Sequence, residues 1–127
     1  MAKQPKQLEW QIQHHVVQQL HSRGILYQGD QNSSKRGPKA RMQAKATGMQ
    51  AGWPDLVVIR PTTTCDPTTC DPEHATTYIE FKVTGNKLSP AQVALHARLA
   101  DNGITVYTVT ASTGPDAWEQ VVEILGL

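Results

Sequence analysis

Asp55, Glu80 and Lys82 are the residues whose types and spacing suit chemistry. Asp55 follows Gly52-Trp53-Pro54 and opens the apolar run Leu56-Val57-Val58-Ile59. Glu80 and Lys82 lie inside Tyr78-Ile79-Glu80-Phe81-Lys82-Val83, a segment rich in β-formers. A strand alternates its faces, so Glu80 and Lys82 point the same way, about 7 Å apart along the backbone, while Ile79, Phe81 and Val83 point the other way. An acid and a base on one face of a mostly apolar strand need partners or a ligand. If the two strands pair, Asp55 approaches Glu80. Two converging carboxylates with a lysine nearby make a hard-cation site of the kind phosphodiester hydrolysis uses. For Glu-x-Lys taken alone, an exposed pair on an edge strand is the competing explanation. The order of the segments and a basic stretch upstream weigh against it.

Net charge is +1, but its placement is uneven. Residues 1–50 carry eight Lys/Arg against two acids, Glu9 and Asp30, whereas residues 51–127 carry four against nine. Five of the basic residues fall in one stretch: Lys35, Arg36, Lys39, Arg41 and Lys45. Such asymmetry suits a polyanion, although a solvated loop accounts for the charge alone equally well.

The elements that must position these side chains are visible in the apolar pattern. Residues 6–23 read as an amphipathic helix, with Leu8, Ile12, Val16 and Leu20 recurring every four positions and Val17 beside them. Pro5 suits its first turn and Gly24 its stop. Ile25–Gln28 reads as a short strand. Residues 29–51 are polar, basic and without period, which predicts a long loop of a kind often functional. Leu56–Ile59 suits a strand buried on both faces and ended by Pro61. Thr77–Val83 is a second strand, followed by the turn Thr84-Gly85-Asn86-Lys87. Ser89 and Pro90 then open a helix with Leu95 and Leu99 on one face, stopped by Asp101-Asn102-Gly103. Ile104–Val109 alternates as a half-buried strand. A last helix starts near Pro115 and buries Trp118, Val121, Val122 and Leu125. The order α-β-β-β-α-β-α predicts an α/β (α+β) fold, one central mixed sheet flanked by helices, in a single domain over 1–127.

Composition narrows the function classes. At 39% hydrophobic and 18% charged residues, the chain is globular rather than disordered. Its apolar runs are too short to span a bilayer, and its first residues lack the apolar core of a secretory signal. Two cysteines cannot build a disulfide scaffold. A soluble, cytoplasmic domain is expected. Thr-Thr-Cys-Asp-Pro occurs twice, at 63–67 and 68–72, and reads as a protruding hairpin loop. Zinc held by Cys65, Cys70 and His74 is disfavoured, because a closed site needs a fourth ligand. The five histidines show no ligand spacing, and neither a serine-nucleophile motif nor a phosphate-cradling glycine loop is present. Trp53 suits either stacking on a base or a core or hinge position.

Gly52-Trp53-Pro54-Asp55, then Tyr78-Ile79-Glu80-Phe81-Lys82, then Leu88-Ser89-Pro90-Ala91-Gln92 occur in that order, and Leu99 through Tyr107 follow. In these blocks the sequence resembles the PD-(D/E)XK nucleases, and within them the stand-alone VRR-NUC (virus-type replication-repair nuclease) domain. The resemblance implies a restriction-endonuclease-like fold. It implies that Asp55 and Glu80 ligate Mg²⁺ or Mn²⁺, joined by the Phe81 carbonyl. Lys82 would position or help activate the attacking water. Glu9 matches an acid that the family often carries on its first helix and would bind the metal directly or through water. Gln92 matches the family's Leu-Ser-x-x-Gln motif and would order the site. Each of the last two also has a local explanation: the helix dipole for Glu9, and a capping box with Ser89 for Gln92.

The resemblance therefore predicts a metal-dependent DNA endonuclease that leaves 5′-phosphate and 3′-hydroxyl ends. Its expected setting is phage or bacterial replication and repair, acting as a homodimer on four-way junctions. The basic stretch would hold the phosphate backbone. The alternatives are a non-catalytic DNA-binding module of the same fold, a sequence-specific restriction-type endonuclease, and a structural domain in which the charges merely pair. The repeat lengthens the link between the Asp55 and Glu80 strands, and a slip of one residue in their pairing would turn Glu80 and Lys82 away from Asp55.

Overall fold

The computed structural model describes residues 7–30, 37–61 and 74–127. Along the chain run α1 (Glu9–Ser22), β1 (Leu26–Gly29), α2 (Pro38–Ala46), β2 (Leu56–Pro61), β3 (His74–Val83), α3 (Pro90–Asp101), β4 (Val106–Ala111) and α4 (Gly114–Leu125). The four strands form one sheet in the order β1-β2-β3-β4. The first two pairings are antiparallel and β3 pairs β4 in parallel, so the sheet is mixed, as expected. Helix α3 is the crossover of that parallel pair. Among the described residues no helix is long and apolar enough to cross a membrane. The Cys-containing repeat lies outside the described residues, as do Pro5, Lys35 and Arg36.

The expected loop over 29–51 contains a helix, α2, which corrects that reading. Pro38 occupies its first turn, and Ala40, Met42, Gln43, Ala44, Lys45 and Ala46 are good helix formers. It buries no residue, so it leaves no apolar period in the sequence. Local propensity shapes this helix where packing shapes the others.

One face of the sheet carries the core. Leu56 and Val58 of β2, Ile79 and Phe81 of β3, and Val109 and Ala111 of β4 meet Ile12, Val16 and Leu20 of α1 and Ala117 and Val121 of α4. The two helices approach closely at Gly114, where an added Cβ would come within 2.5 Å of the His15 side chain. The buried stripe of α4 is centred on Gly114, Ala117 and Val121. Trp118 and Leu125 are half-buried at its margin, and Trp118 lies under the Arg23 guanidinium at 4.8 Å. The stripe is displaced from the expected one because α1 contacts the first turns of α4.

The opposite face is covered by α3 through Leu95 and Leu99, both buried. Its cover is partial, so Val57 and Ile59 are half-buried and β2 is fully buried on one face only. α3 begins as its sequence predicts. Ser89 Oγ accepts from the Gln92 N–H at 3.2 Å, and the Ser89 N–H donates to Gln92 Oε1 at 2.8 Å. β4 starts two residues after the expected Ile104, whose N–H instead closes the end of α3 on Leu99 O at 2.8 Å.

Candidate active site

The register of β2 on β3 pairs Leu56 with Ile79, so Asp55, one residue before β2, stands opposite Glu80. Both carboxyls fall on the α3 face, because Leu56 and Ile79 take the core face. Each carboxylate is bonded to the other strand's backbone. The Asp55 N–H donates to Glu80 Oε2 at 3.2 Å, and the Phe81 N–H donates to Asp55 Oδ2 at 2.8 Å. The described register is therefore the one that keeps Glu80 and Lys82 on the Asp55 side. The Phe81 side chain is fully buried on the core face, so this residue offers the site only its backbone.

Glu80 has no exposed surface and is the one buried charged residue among those described. Burial, and then the charge of Asp55, push its carboxyl up to about 8, with Lys82 and the Asp55 N–H opposing. Burial also raises Asp55 to about 6, against the Phe81 N–H and Lys82, with Glu9 and Asp30 adding to the rise. The two acids thus hold protons that ordinary carboxyls release. A nearby positive charge reverses this, as Lys82 does in part.

Three further elements converge on the pair. From α3, Gln92 Nε2 donates to Glu80 Oε1 while its Oε1 caps the helix, so Gln92 holds the helix start and Glu80 together. One turn on, burial and then Lys82 lower the pKa of the His96 imidazole, and its Nε2 is buried with no hydrogen-bond partner among the described residues. From α1, Glu9 adds negative charge close enough to raise both carboxyls, and Gln13 Nε2 donates to Asp55 O at 3.3 Å. At the end of β1, the Asp30 N–H donates to Asp55 O at 2.8 Å. The approach to Asp55 is tight. Gly52 has φ +86, and a Cβ there would come within 2.5 Å of Ala91 O in the first turn of α3.

The structure thus brings Asp55, Glu80, Lys82 and Gln92 into one constellation, with the Phe81 backbone inside it. Glu9 is an electrostatic neighbour: among the described residues no His, Cys, Asp or Glu completes a three-residue metal cluster. Of the basic stretch, Lys39, Arg41 and Lys45 lie on α2, which exposes all of its residues but one. Arg41 and Lys45, four apart, share a face. Sequence reasoning missed Asp30, Gln13 and His96. Two of these carried a signal, since Gln13 follows Glu9 and His96 follows Gln92 by one helical turn. Asp30 carried none.

Comparison with curated proteins and with solved structures found no match. The family model described as VRR-NUC domain matches residues 4–113 of the 127-residue chain. That span contains α1, all four strands, α3 and every residue of the constellation. The chain belongs to the VRR-NUC nuclease family.

Proposed function

We propose that this protein is a metal-dependent endodeoxyribonuclease whose active site is the Asp55–Glu80–Lys82 constellation. The carrying observation is the crossed pair of carboxylates, each anchored by the other strand's backbone and both raised by burial. Such a donor set fits a hard divalent cation. Its oxygens are held in place by backbone donors before binding, and a cation there would take the place of the protons that burial otherwise keeps on the pair. Asp55, Glu80 and the Phe81 carbonyl would hold Mg²⁺ or Mn²⁺, with Glu9 acting through water. When bound, the cation supplies neutralisation of the phosphodiester and a lowered pKa for its water.

Lys82 favours the ionised form of both carboxyls and orients the attacking water, offsetting the charge that develops on phosphate. Gln92 keeps Glu80 aimed at the site. Lys35, Arg36, Lys39, Arg41 and Lys45 take phosphates, a sequence-independent contact. By its resemblance to stand-alone members of the family, the enzyme is a homodimer that cuts four-way junctions symmetrically, inside phage-infected or bacterial cells.

The test is cleavage of labelled four-way junction, flap and linear duplex in Mg²⁺, Mn²⁺ or EDTA, by wild type and Lys82→Ala. Metal-dependent junction cutting that the variant loses supports the whole reading. Cutting of all forms alike keeps the nuclease and discards the junction preference. DNA binding with no cutting replaces the enzyme by a binding module.

A further inference from the structure

Beside the constellation lies a cleft of about 370 Å³, at the lower end of the ~300–1,000 Å³ usual for ligand sites. Its wall includes Gly29, Asp30, Met49, Trp53, Pro54 and Val57. We propose that this cleft takes one unpaired nucleobase of the DNA strand under attack at Asp55 and Glu80. The inference rests on the nuclease reading and adds to it the source of a preference for branched or distorted DNA.

The position of the cleft argues for a base. Pro54 is joined to Asp55, and the Asp30 N–H bonds to Asp55 O, so the cleft and the carboxylates share a wall. Trp53 is half-buried and meets Tyr78 edge-to-face at 6.1 Å and 87°, which orients its ring before anything binds. Trp53, Met49, Pro54 and Val57 are apolar, as a base face requires. The Met49 N–H donates to Ala44 O at 3.0 Å, tying the cleft wall to α2 and its Lys39, Arg41 and Lys45. Phosphates outside and a base inside are thereby read by one connected unit. A paired base is buried in its stack, so only an unpaired or flipped nucleotide reaches such a cleft.

The test is equilibrium binding in Ca²⁺ of two duplexes that differ at one position, an unpaired adenine in one and an abasic site in the other. The wild-type protein is expected to bind the first about tenfold more tightly, the scale of one base–aromatic stack. Trp53→Ala should lose that ratio, and Trp53→Phe should keep most of it. Equal binding of the two duplexes by wild type, with metal-dependent cleavage intact, overturns the base site and leaves the nuclease standing. Failure to bind or cut any DNA overturns both. The wild-type comparison needs no variant, so a misfolded Trp53→Ala does not decide the outcome.

Discussion

Glu80 has no exposed surface, yet it stands in a central strand where an apolar residue would pack more cheaply. The cost has a sign that can be measured. The folded-state values of Asp55 and Glu80, about 6 and about 8, lie above their ordinary 3.8 and 4.5. The folded protein therefore binds more protons than the unfolded chain between those limits. Without metal, their contribution to stability is fully present below about pH 4 and is lost as pH rises through about 6 and then about 8. Thermal melts in EDTA should show Tm falling over that window, and Glu80→Gln should flatten the fall. A rise of Tm with pH in the same window would contradict the assignment. Mg²⁺ or Mn²⁺ should raise Tm at pH 8 for wild type and leave Glu80→Gln unmoved, with weaker binding at lower pH because protons compete. Lys82→Ala should slow cleavage about 10²–10³-fold, the usual scale for removing one preorganised charge donor, while the melt is nearly unchanged.

At the scale of elements, two joints carry the site. The start of α3 is one, where Gln92 serves both helix and carboxyl. The two duties separate by substitution. Ser89→Ala removes a cap, costing about 1 kcal/mol in chemical denaturation with little change in cleavage. Gln92→Glu keeps the capping acceptor but sets a carboxylate against Glu80, so cleavage should fall sharply while the helix remains. Equal cleavage by both variants would reduce Gln92 to a cap. The loop before β2 is the other joint. Gly52→Ala would need a left-handed backbone and would drive a Cβ into Ala91, so a loss of at least about 2 kcal/mol is expected in denaturation. Helix α2 makes the opposite prediction. It buries nothing, so Arg41→Ala with Lys45→Ala should leave Tm alone and lower the salt slope of DNA binding by about two.

On the scale of the whole molecule, the main core and the proposed active site occupy different faces of one sheet. α1 and α4 seal the core face, and α3 covers the face that carries Glu80 and Lys82. Val121→Ala, on the core face, should cost about 2 kcal/mol through lost methyls and the cavity left behind. Its cleavage rate per folded molecule should match wild type below the melt. A cleavage loss beyond the unfolded fraction would show the two faces to be coupled.

Much of this arrangement was legible in the residues. Period two put Glu80 and Lys82 on one face, period three to four gave α1, and Ser89-Pro90 marked the start of α3. These patterns are local, and burial imposes them on the sequence directly. α2 was not legible, because a helix that buries nothing writes no apolar period. Asp30 was not legible either, and Gln13 and His96 showed only a one-turn spacing from Glu9 and Gln92, because their approach to Asp55 and Lys82 depends on how β1, α1 and α3 meet. The sequence by itself determined the existence of the strands, the shared facing of Glu80 and Lys82 and the chemical types of the pair. Only the tertiary structure decided the Leu56–Ile79 register that sets Asp55 against Glu80. The physical reason is that the alternation repeats every two residues, so the pattern fixes which face each side chain takes and leaves open which partner it meets.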